Sequence, residues 1–399
     1  MVSLEMNSSK VAPRGAPKIN NLVESKYHVL HQIKYLLGLQ MVVGINRLYL
    51  FFSDKYIISL GYLYTVIITG LTMYVMLGND MNSSTYIVFR NTVVIEFSLL
   101  SFNSMVLYKK TFKKFVEKIE MFDNILNIKN HPELASFTLL HLFLYIFIFA
   151  ILLTLDLLYI LNFENIIGDK LVNYAYLIMN LAFLCHDTEI IFFCVLLTMI
   201  LKRVKIIKGH VGKLFLRKKK SNNHLEALSY NANLDVSHLH NAYDLLHTCS
   251  EKLNSAMNFP MVLLFTASGL TSIMLLKNVF AIVQQTDEEK KFFVKYLVTY
   301  AIVYCMKFTI LFIMPCYFSN ITTTQVATMR TMLHDAINTK ALGKYERRKL
   351  KAFFQLTQDS EFAYALWGVI KIDMSLPLSY CSLCVTYLII VVQFSRFID

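Results

Sequence analysis

The sequence is poor in charged residues. Asp, Glu, Lys and Arg make up 17% of its 399 residues, against about 25% in an average soluble domain. Apolar residues reach 56%, above the roughly 45–50% of soluble domains. This composition excludes a soluble, disordered or collagen-like chain and indicates a polytopic membrane protein. We attribute the formal net charge of +12 to membrane loops and expect no nucleic acid partner.

The motifs of several protein classes are also missing. There is no phosphate-binding loop, nucleophile elbow or His-Glu-x-x-His pair. Only His141 and His186 fall in apolar stretches, so three histidines for a catalytic zinc are not available there. The Asp-Arg-Tyr and Asn-Pro-x-x-Tyr motifs of G-protein-coupled receptors are absent as well. We therefore expect no enzyme activity, no cofactor and no metal site.

Eight apolar stretches divide the sequence. They are 36–53, 56–78, 85–108, 137–161, 171–201, 259–283, 293–318 and 372–396. The stretch 36–53 is short for a span, which needs about 20 residues, and it carries Asn46 and Arg47. Almost no chain separates it from the next stretch, too little for two spans to reverse direction. We predict an all-α membrane protein with seven transmembrane helices, plus an interfacial or re-entrant helix over 36–53.

Basic residues set the predicted orientation. Loops of two kinds alternate along the chain, with 31 Lys and Arg in one set and three in the other. The basic set is 1–55, 109–136, 202–258 and 319–371, and the other set is 79–84, 162–170 and 284–292. Because basic loops stay in the cytoplasm, the N-terminus is predicted to be cytoplasmic and the C-terminus extracellular. This is the reverse of a G-protein-coupled receptor.

The last apolar stretch carries a mostly polar stripe. Ser379, Ser382, Thr386, Ile390 and Gln393 recur at steps of three and four residues, which places them on one side of a helix. A glutamine facing lipid is costly, so the stripe faces another helix or water. Two interpretations stay open: small-residue packing between helices, or the wall of a pore formed where several copies meet. The stripe bears no charge, so such a pore would select cations loosely.

Two short segments of the sequence are specific enough to compare with known families. The last apolar stretch contains Thr386-Tyr387, five apolar residues and then Gln393-Phe394, which is similar to the C-terminal signature of insect gustatory receptors. The segment 33–39, Ile-Lys-Tyr-Leu-Leu-Gly-Leu, resembles the family's N-terminal helix before the first span. The short C-terminal motif carries most of the specificity.

The resemblance implies a ligand-gated, non-selective cation channel made of four subunits, alone or with other gustatory receptor subunits. It implies a plasma-membrane location in sensory neuron dendrites, with a tastant, monovalent and divalent cations and membrane lipids as partners. The units would be a cytoplasmic segment with the interfacial helix (1–55), a six-helix ligand-binding bundle (56–318), a cytoplasmic anchor region (319–371) and a pore-lining helix with a short extracellular tail (372–399). Gln393 and Phe394 would form the outer gate, with Ser382, Thr386 and Ile390 below it on the pore wall.

Ionisable residues inside the spans are the candidates for a ligand pocket. Measured from the outer ends of the spans, Arg90 and Asp156 lie at similar depth and are expected to pair. Glu96 and Lys307 lie deeper and are expected to neutralise each other. The alternative for each pair is a structural role in holding helices together.

His186 and Asp187 lie near the middle of the span 171–201 and are further pocket candidates; a structural role stays equally open for them.

Aromatic residues extend the candidate pocket. Tyr296, Tyr300 and Tyr304 are spaced four residues apart on one face, which suits a small organic ligand or ordinary packing. The only tryptophan, Trp367, is predicted to be cytoplasmic, so it cannot stack on a sugar in an outer pocket. This favours a bitter or other organic tastant over a sugar. The alternative function is a seven-span metabotropic receptor or membrane enzyme without a pore.

The predicted orientation can be measured directly. An epitope tag placed after Asp399 is expected to be stained on intact cells, because an odd number of spans puts the C-terminus outside when the N-terminus is inside. A tag before Met1, stained only after permeabilisation, is the matched control. Staining of the C-terminal tag only in permeabilised cells, with surface delivery confirmed separately, would contradict the predicted number of spans.

Overall fold

The computed structural model describes residues 19–52, 54–77, 84–128, 170–216, 235–284, 291–340 and 342–398, with 146, 147, 150 and 154 as isolated positions. Within these residues the chain forms nine α-helices and one β-hairpin. The helices are α1 (Ile19–Val42), α2 (Lys55–Leu77), α3 (Ser84–Met105), α4 (Lys109–Ile125), α5 (Lys170–Leu216), α6 (Val236–Gln284), α7 (Lys291–Thr339), α8 (Lys344–Asp359) and α9 (Ser375–Ile398). Most of the predicted span 137–161, with Asp156, lies outside the described residues.

Three of the described helices are long and apolar enough to cross a membrane. They are α2, the part of α6 from Val236 to Phe280 and the part of α7 from Val298 to Thr339. A shorter apolar stretch runs over Ser375–Ile390 of α9. The chain is thus almost wholly helical where it is described, as the sequence predicts.

Helices α5, α6 and α7 are much longer than the apolar stretches from which they were predicted. They contain 47, 49 and 49 residues, and 49 residues rise about 74 Å along a helix axis. A bilayer core is only about 30 Å thick, so these helices continue well beyond the membrane. The parts of these helices outside the predicted apolar stretches contain enough polar residues to end the apolar pattern. The helix itself continues through them.

The predicted helix over 36–53 is divided into two elements. Helix α1 ends at Val42, and Gly44 follows with φ +93°, a conformation that favours glycine. The chain then makes a single 3₁₀ turn over Leu48–Leu50 before α2 begins. Between the two elements the Arg47 side chain is 1% exposed and bonds to Glu189. A buried polar contact therefore interrupts the apolar stretch that was predicted as one helix.

Helix α5 forms the centre of the bundle. Every residue from Ala182 to Leu201 is buried, and the helix contacts α1, α2, α3, α6 and α7. A helix that is apolar on all sides is expected to be enclosed in this way. Helices α8 and α9 pack against α6 and α7 instead.

The hairpin follows α8 and is fixed to α6. Strands β1 (Ala365–Leu366) and β2 (Ile370–Lys371) pair antiparallel. The backbone N–H groups of Ala365 and Trp367 donate to the Oδ1 atoms of Asn254 and Asn258 on α6, at 3.2 and 2.7 Å. The two asparagines are one helical turn apart, so they hold two positions of the hairpin at once.

An ion pair joins α8 to the start of α6. The Nζ atom of Lys349 lies 2.6 Å from Oδ2 of Asp235. Its hydrogen bond lowers the pKa of the Asp235 carboxyl and raises the pKa of the Lys349 ammonium. Both side chains are partly exposed, so solvent screens this pair.

A fully buried ion pair joins α4 to α5. The Arg203 guanidinium donates to both carboxylate oxygens of Asp123, at 2.8 and 2.6 Å, and to the carbonyl of Met199 at 3.0 Å. The two side chains are 0% and 3% exposed. Removal of one partner would leave the other charge buried without compensation.

Replacement of Arg203 by Met is expected to destabilise the folded protein by about 3–5 kcal/mol, because the buried Asp123 carboxylate loses the guanidinium that bonds to both of its oxygens. The measurement is the melting temperature of the detergent-purified protein. Lys205→Met is the matched control, since Lys205 is exposed on the same helix. Equal melting temperatures for the two variants would contradict the importance of the pair, and Arg203→Met combined with Asp123→Leu is expected to recover part of the loss.

Candidate functional site

Four helices bring polar side chains together at the centre of the bundle. Glu96 lies on α3, His186 and Asp187 on α5, Ser268 on α6 and Lys307 on α7; we call these five residues the polar cluster. Four of them are buried, and the Lys307 side chain is 9% exposed. Four helices therefore converge on one low-dielectric site, and the sequence had indicated all of these residues except Ser268.

A chain of hydrogen bonds runs from α3 through α5 to α6. His186 Nδ1 contacts Glu96 Oε1, and His186 Nε2 lies 2.9 Å from Ser268 Oγ. The imidazole packs edge-on against the Phe308 ring, with centroids 5.4 Å apart. Glu96 is thus paired with His186. The sequence predicts a pair of Glu96 with Lys307, and this prediction is wrong. Depth along a helix gives a residue's height but not the direction in which it points around the axis.

The cation of the cluster lies in a ring of aromatic faces. Lys307 Nζ is 3.0 Å from Asp187 Oδ2. It is also 5.4, 4.8 and 4.6 Å from the ring centroids of Phe183, Tyr304 and Phe308, within cation–π range. The second carboxylate oxygen, Asp187 Oδ1, is enclosed but has no hydrogen-bond partner among the described residues. An enclosed acceptor of this kind is free to receive a donor.

A second buried pair lies close by on α5. Glu189 Oε2 accepts hydrogen bonds from Arg47 Nη1 at 2.9 Å and from Gln40 Nε2 at 3.0 Å. The Arg47 guanidinium also lies over the Phe192 ring at 4.3 Å. These contacts fix the chain between α1 and α2 to the middle of α5.

The buried charges at this level balance. Three acidic and three basic side chains are arranged in pairs: Arg47–Glu189, Lys307–Asp187 and His186–Glu96. The first two pairs are neutral as ion pairs, and the third is neutral when it holds one proton, whichever member carries it. Among the residues that the structure describes, a ligand with a net charge would find no uncompensated partner at this level, so this part of the cluster is suited to neutral molecules.

Aromatic side chains line the helices on the predicted outer side of the cluster. Tyr300 and Tyr304 have ring centroids 4.4 Å apart, and the Tyr304 hydroxyl donates to Asn180 Oδ1 at 3.2 Å. Phe308 extends this stripe by one further turn and could have been found by the same four-residue spacing. Asn180 and Ser268 could not, because single small polar residues are common in apolar helices.

Three predicted residues are described only in part or not at all. Asp156 lies outside the described residues, so its expected pairing with Arg90 is not described; Arg90 itself is half-buried on α3. The side chains of Tyr296 and Phe394 also lie outside the described part, although their backbones belong to α7 and α9. Their pocket and gate roles stay predictions.

The order of carboxylate, imidazole and hydroxyl in the cluster is also that of a hydrolase triad. Ser268, however, lies inside α6, where backbone N–H groups already bond to the preceding turn. That part of the backbone offers no free donors to stabilise an oxyanion. Across the described residues, moreover, there is no group of three or more His, Cys, Asp or Glu side chains that could hold a metal ion.

Helix α9 is largely uncovered in the single chain. The stripe residues Ser379, Ser382, Thr386, Ile390 and Gln393 are all exposed. So are apolar side chains on other sides of the helix, namely Leu378, Leu383, Val385, Tyr387 and Ile389. Within one subunit, therefore, α9 has most of its surface available to lipid, water or another copy of the chain.

Pro377 lies near the inner end of α9. A proline in the interior of a helix would break or kink it. The helix begins only two residues earlier, at Ser375, so Pro377 lies in the first turn, where no backbone N–H is needed. The Asp373 carboxylate accepts a hydrogen bond from the Ser375 N–H at 2.9 Å and so caps this end of the helix.

Solved structures share the fold. The insect olfactory receptor OR5 from Machilis hrabei is similar with a TM-score of 0.61 at 12% identity, over 93% of this chain and 100% of that one. The same receptor in complex with eugenol gives a TM-score of 0.60 at 15% identity, with the same coverage. No curated protein matches the sequence.

The sequence itself identifies the family. The family model described as 7tm Chemosensory receptor matches residues 33–396, nearly the whole chain. Such receptors are a class of membrane proteins distinct from enzymes. The resemblance to chemosensory receptors noted from the sequence is therefore confirmed, and the chain belongs to the 7tm chemosensory receptor family.

Proposed function

We propose that the protein is a taste receptor that acts as a tastant-gated, non-selective cation channel in the plasma membrane of sensory neuron dendrites. Four copies assemble, alone or with other gustatory receptor subunits, so that α9 of each lines a central pore for monovalent and divalent cations. The observation that carries this proposal is the exposed polar stripe of α9, on a helix that its own subunit covers on one side only.

The chemistry of the stripe supports a wet environment. A glutamine in contact with lipid chains is costly, and Gln393 is exposed in the single chain. The hydroxyl of Thr386 donates to the Ser382 carbonyl at 2.9 Å, so it needs no partner on another helix. The Ser379 hydroxyl likewise donates to the Ser375 carbonyl at 3.2 Å. A stripe of such hydroxyls with one amide is suited to face water, while the apolar sides of α9 face neighbouring subunits and lipid.

The polar cluster and the aromatic residues beside it are the proposed ligand site. Glu96, His186, Asp187 and Lys307 form its floor near the middle of the membrane, and Tyr300 and Tyr304 lie toward the predicted outer end. Tyr296 and Arg90 are assigned to the same site from sequence position, as is Asp156. A ligand that prefers one arrangement of this site shifts the population of open channels by its differential affinity.

The proposed ligand is a neutral organic molecule with an aromatic or apolar body and one hydrogen-bond donor. Charge balance in the cluster disfavours anions and cations, and Asp187 Oδ1 offers an enclosed acceptor without a partner. The rings of Phe183, Tyr304 and Phe308 supply apolar surface around it. The similar olfactory receptor structure contains eugenol, which is a neutral phenol and so belongs to the same chemical class.

The gate can be tested by Phe394→Ala. Removal of the aromatic ring at the constriction is expected to raise basal current or change evoked current, with unchanged surface protein. Whole-cell and single-channel recordings measure the change, and Phe397→Ala, in the same last turns of α9, is the matched control. Unchanged gating would remove Phe394 from the gate, whereas an absence of single-channel events in the wild type would favour a metabotropic receptor or membrane enzyme without a pore.

The ligand class can be tested with pairs of molecules that differ by one donor. Eugenol and other small phenols are expected to act at about ten-fold lower concentration than their methyl ethers, because loss of the donor leaves a buried acceptor unpaired. Half-maximal concentrations for current give the ratio. Asp187→Asn is expected to reduce this ratio, and Asp335→Asn, on the exposed part of α7, is the control. Stronger responses to the ethers, or to charged analogues, would contradict the proposed class.

A further inference from the structure

Tyr380, in the second turn of α9, is seated between α6 and α7. Its hydroxyl donates to the carbonyl oxygen of Phe265 on α6 at 2.6 Å. Its ring stacks on Phe312 of α7, with centroids 4.2 Å apart and planes inclined by 15°. This one side chain thus attaches the inner end of α9 to two helices of the bundle by a polar bond and by ring stacking.

The seat on α6 exists because residue 269 is glycine. A Cβ atom at Gly269 would lie 2.6 Å from the Tyr380 hydroxyl oxygen, which is closer than atoms can pack, and 3.2 Å from Cζ, which is a tight contact. The Phe265 carbonyl is also the helical acceptor one turn before Gly269. The hydroxyl therefore reaches a carbonyl that any larger residue at position 269 would shield. We call Gly269 and Phe265 the α6 notch.

The notch adjoins the polar cluster. Ser268, which bonds to His186 at 2.9 Å, immediately precedes Gly269 in α6. A parallel connection runs along α7, where Phe308 packs against His186 and Phe312, one turn later, stacks on Tyr380. His186 and Ser268 are thus connected to Tyr380 through neighbouring residues on two helices.

Space for movement lies beside the notch. A cavity of about 30 Å³ is lined by residues of all three helices, namely Ser268, Ser272, Phe308, Thr309, Phe312, Ile313, Pro377, Tyr380 and Cys381. This volume holds one or two water molecules. In a densely packed interior such a gap allows a ring to shift without overpacking its neighbours.

We propose that Tyr380 is the positioning residue that couples the polar cluster to the pore: seated in the α6 notch it holds α9 in the closed position, and displacement from the notch allows the pore to open. This inference rests on the proposed channel function. It adds to that function a specific joint, at the inner end of α9, between the ligand site and the helix that lines the pore. Tyr380 itself touches neither the ligand nor the permeating ion.

The joint can be tested by a double-mutant cycle in the full-length protein. Gly269→Ala is expected to raise the spontaneous open probability of single channels at least ten-fold, because the added methyl group expels the Tyr380 hydroxyl. Tyr380→Phe, which keeps the ring stacking and loses one hydrogen bond, is expected to raise it about five-fold. Combined with Gly269→Ala, it removes the clashing oxygen atom and is expected to reverse part of the first effect.

Open probability per channel does not depend on how many copies fold, so a merely structural role would not move it. Gly70→Ala, at a glycine of α2 with open space around it, and Tyr74→Phe, an exposed residue of the same helix, are the matched controls. If Gly269→Ala fails to reach the cell surface, the open probability of Tyr380→Phe alone tests the proposed role of Tyr380. Wild-type gating in that variant, or additive effects in the cycle, would overturn the joint while the channel function stands. A wild type that passes no current would overturn both.

Discussion

Helix α5 carries four ionisable side chains into the buried bundle, and each is paired with a different element of the chain. His186 meets Glu96 of α3, Asp187 meets Lys307 of α7, Glu189 meets Arg47 from the chain before α2, and Arg203 meets Asp123 of α4. An unpaired charge in such surroundings is strongly unfavourable. Only an arrangement that satisfies all four pairs at once is acceptable, so the pairs fix the rotation and height of α5 against its neighbours.

This pairing also sets the chemistry of the proposed ligand site. Buried ion pairs add little net stability compared with apolar packing, but they leave a site whose polarity is fixed and whose net charge is neutral. Within the described part of the polar cluster, Asp187 Oδ1 is an enclosed acceptor that has no hydrogen-bond partner. A neutral molecule with a single hydrogen-bond donor would satisfy this acceptor without adding charge, which is the basis of the proposed ligand class.

The sequence predicted the outline of this arrangement and missed its connections. Apolar stretches gave α2 and α3 to within three residues, because each is a simple apolar helix with clear ends. The extensions of α5, α6 and α7 were missed because hydropathy detects membrane contact and not helix continuity.

The candidate site was predicted only in part. Charge is rare in apolar stretches, which is why the sequence singled out Glu96, His186, Asp187 and Lys307. Their partners were not predicted, since pairing depends on rotation about each helix axis. Gly269 and Tyr380 gave no signal, because a glycine and a tyrosine 111 positions apart acquire meaning only when α6 and α9 touch.

The contrast between α5 and α9 explains how one subunit can be both rigid and movable. Helix α5 is held in one position by its four buried pairs and by the helices that surround it. Among the described helices, α9 has its main contacts with α6 and α7, and the hydroxyl of Tyr380 donates one hydrogen bond to α6. A contact of this kind contributes roughly 1 kcal/mol, which is the scale on which a ligand can shift a population. The helix that must move in the proposed channel is thus one that its own subunit leaves largely exposed, and it is held next to the residues that would sense the ligand.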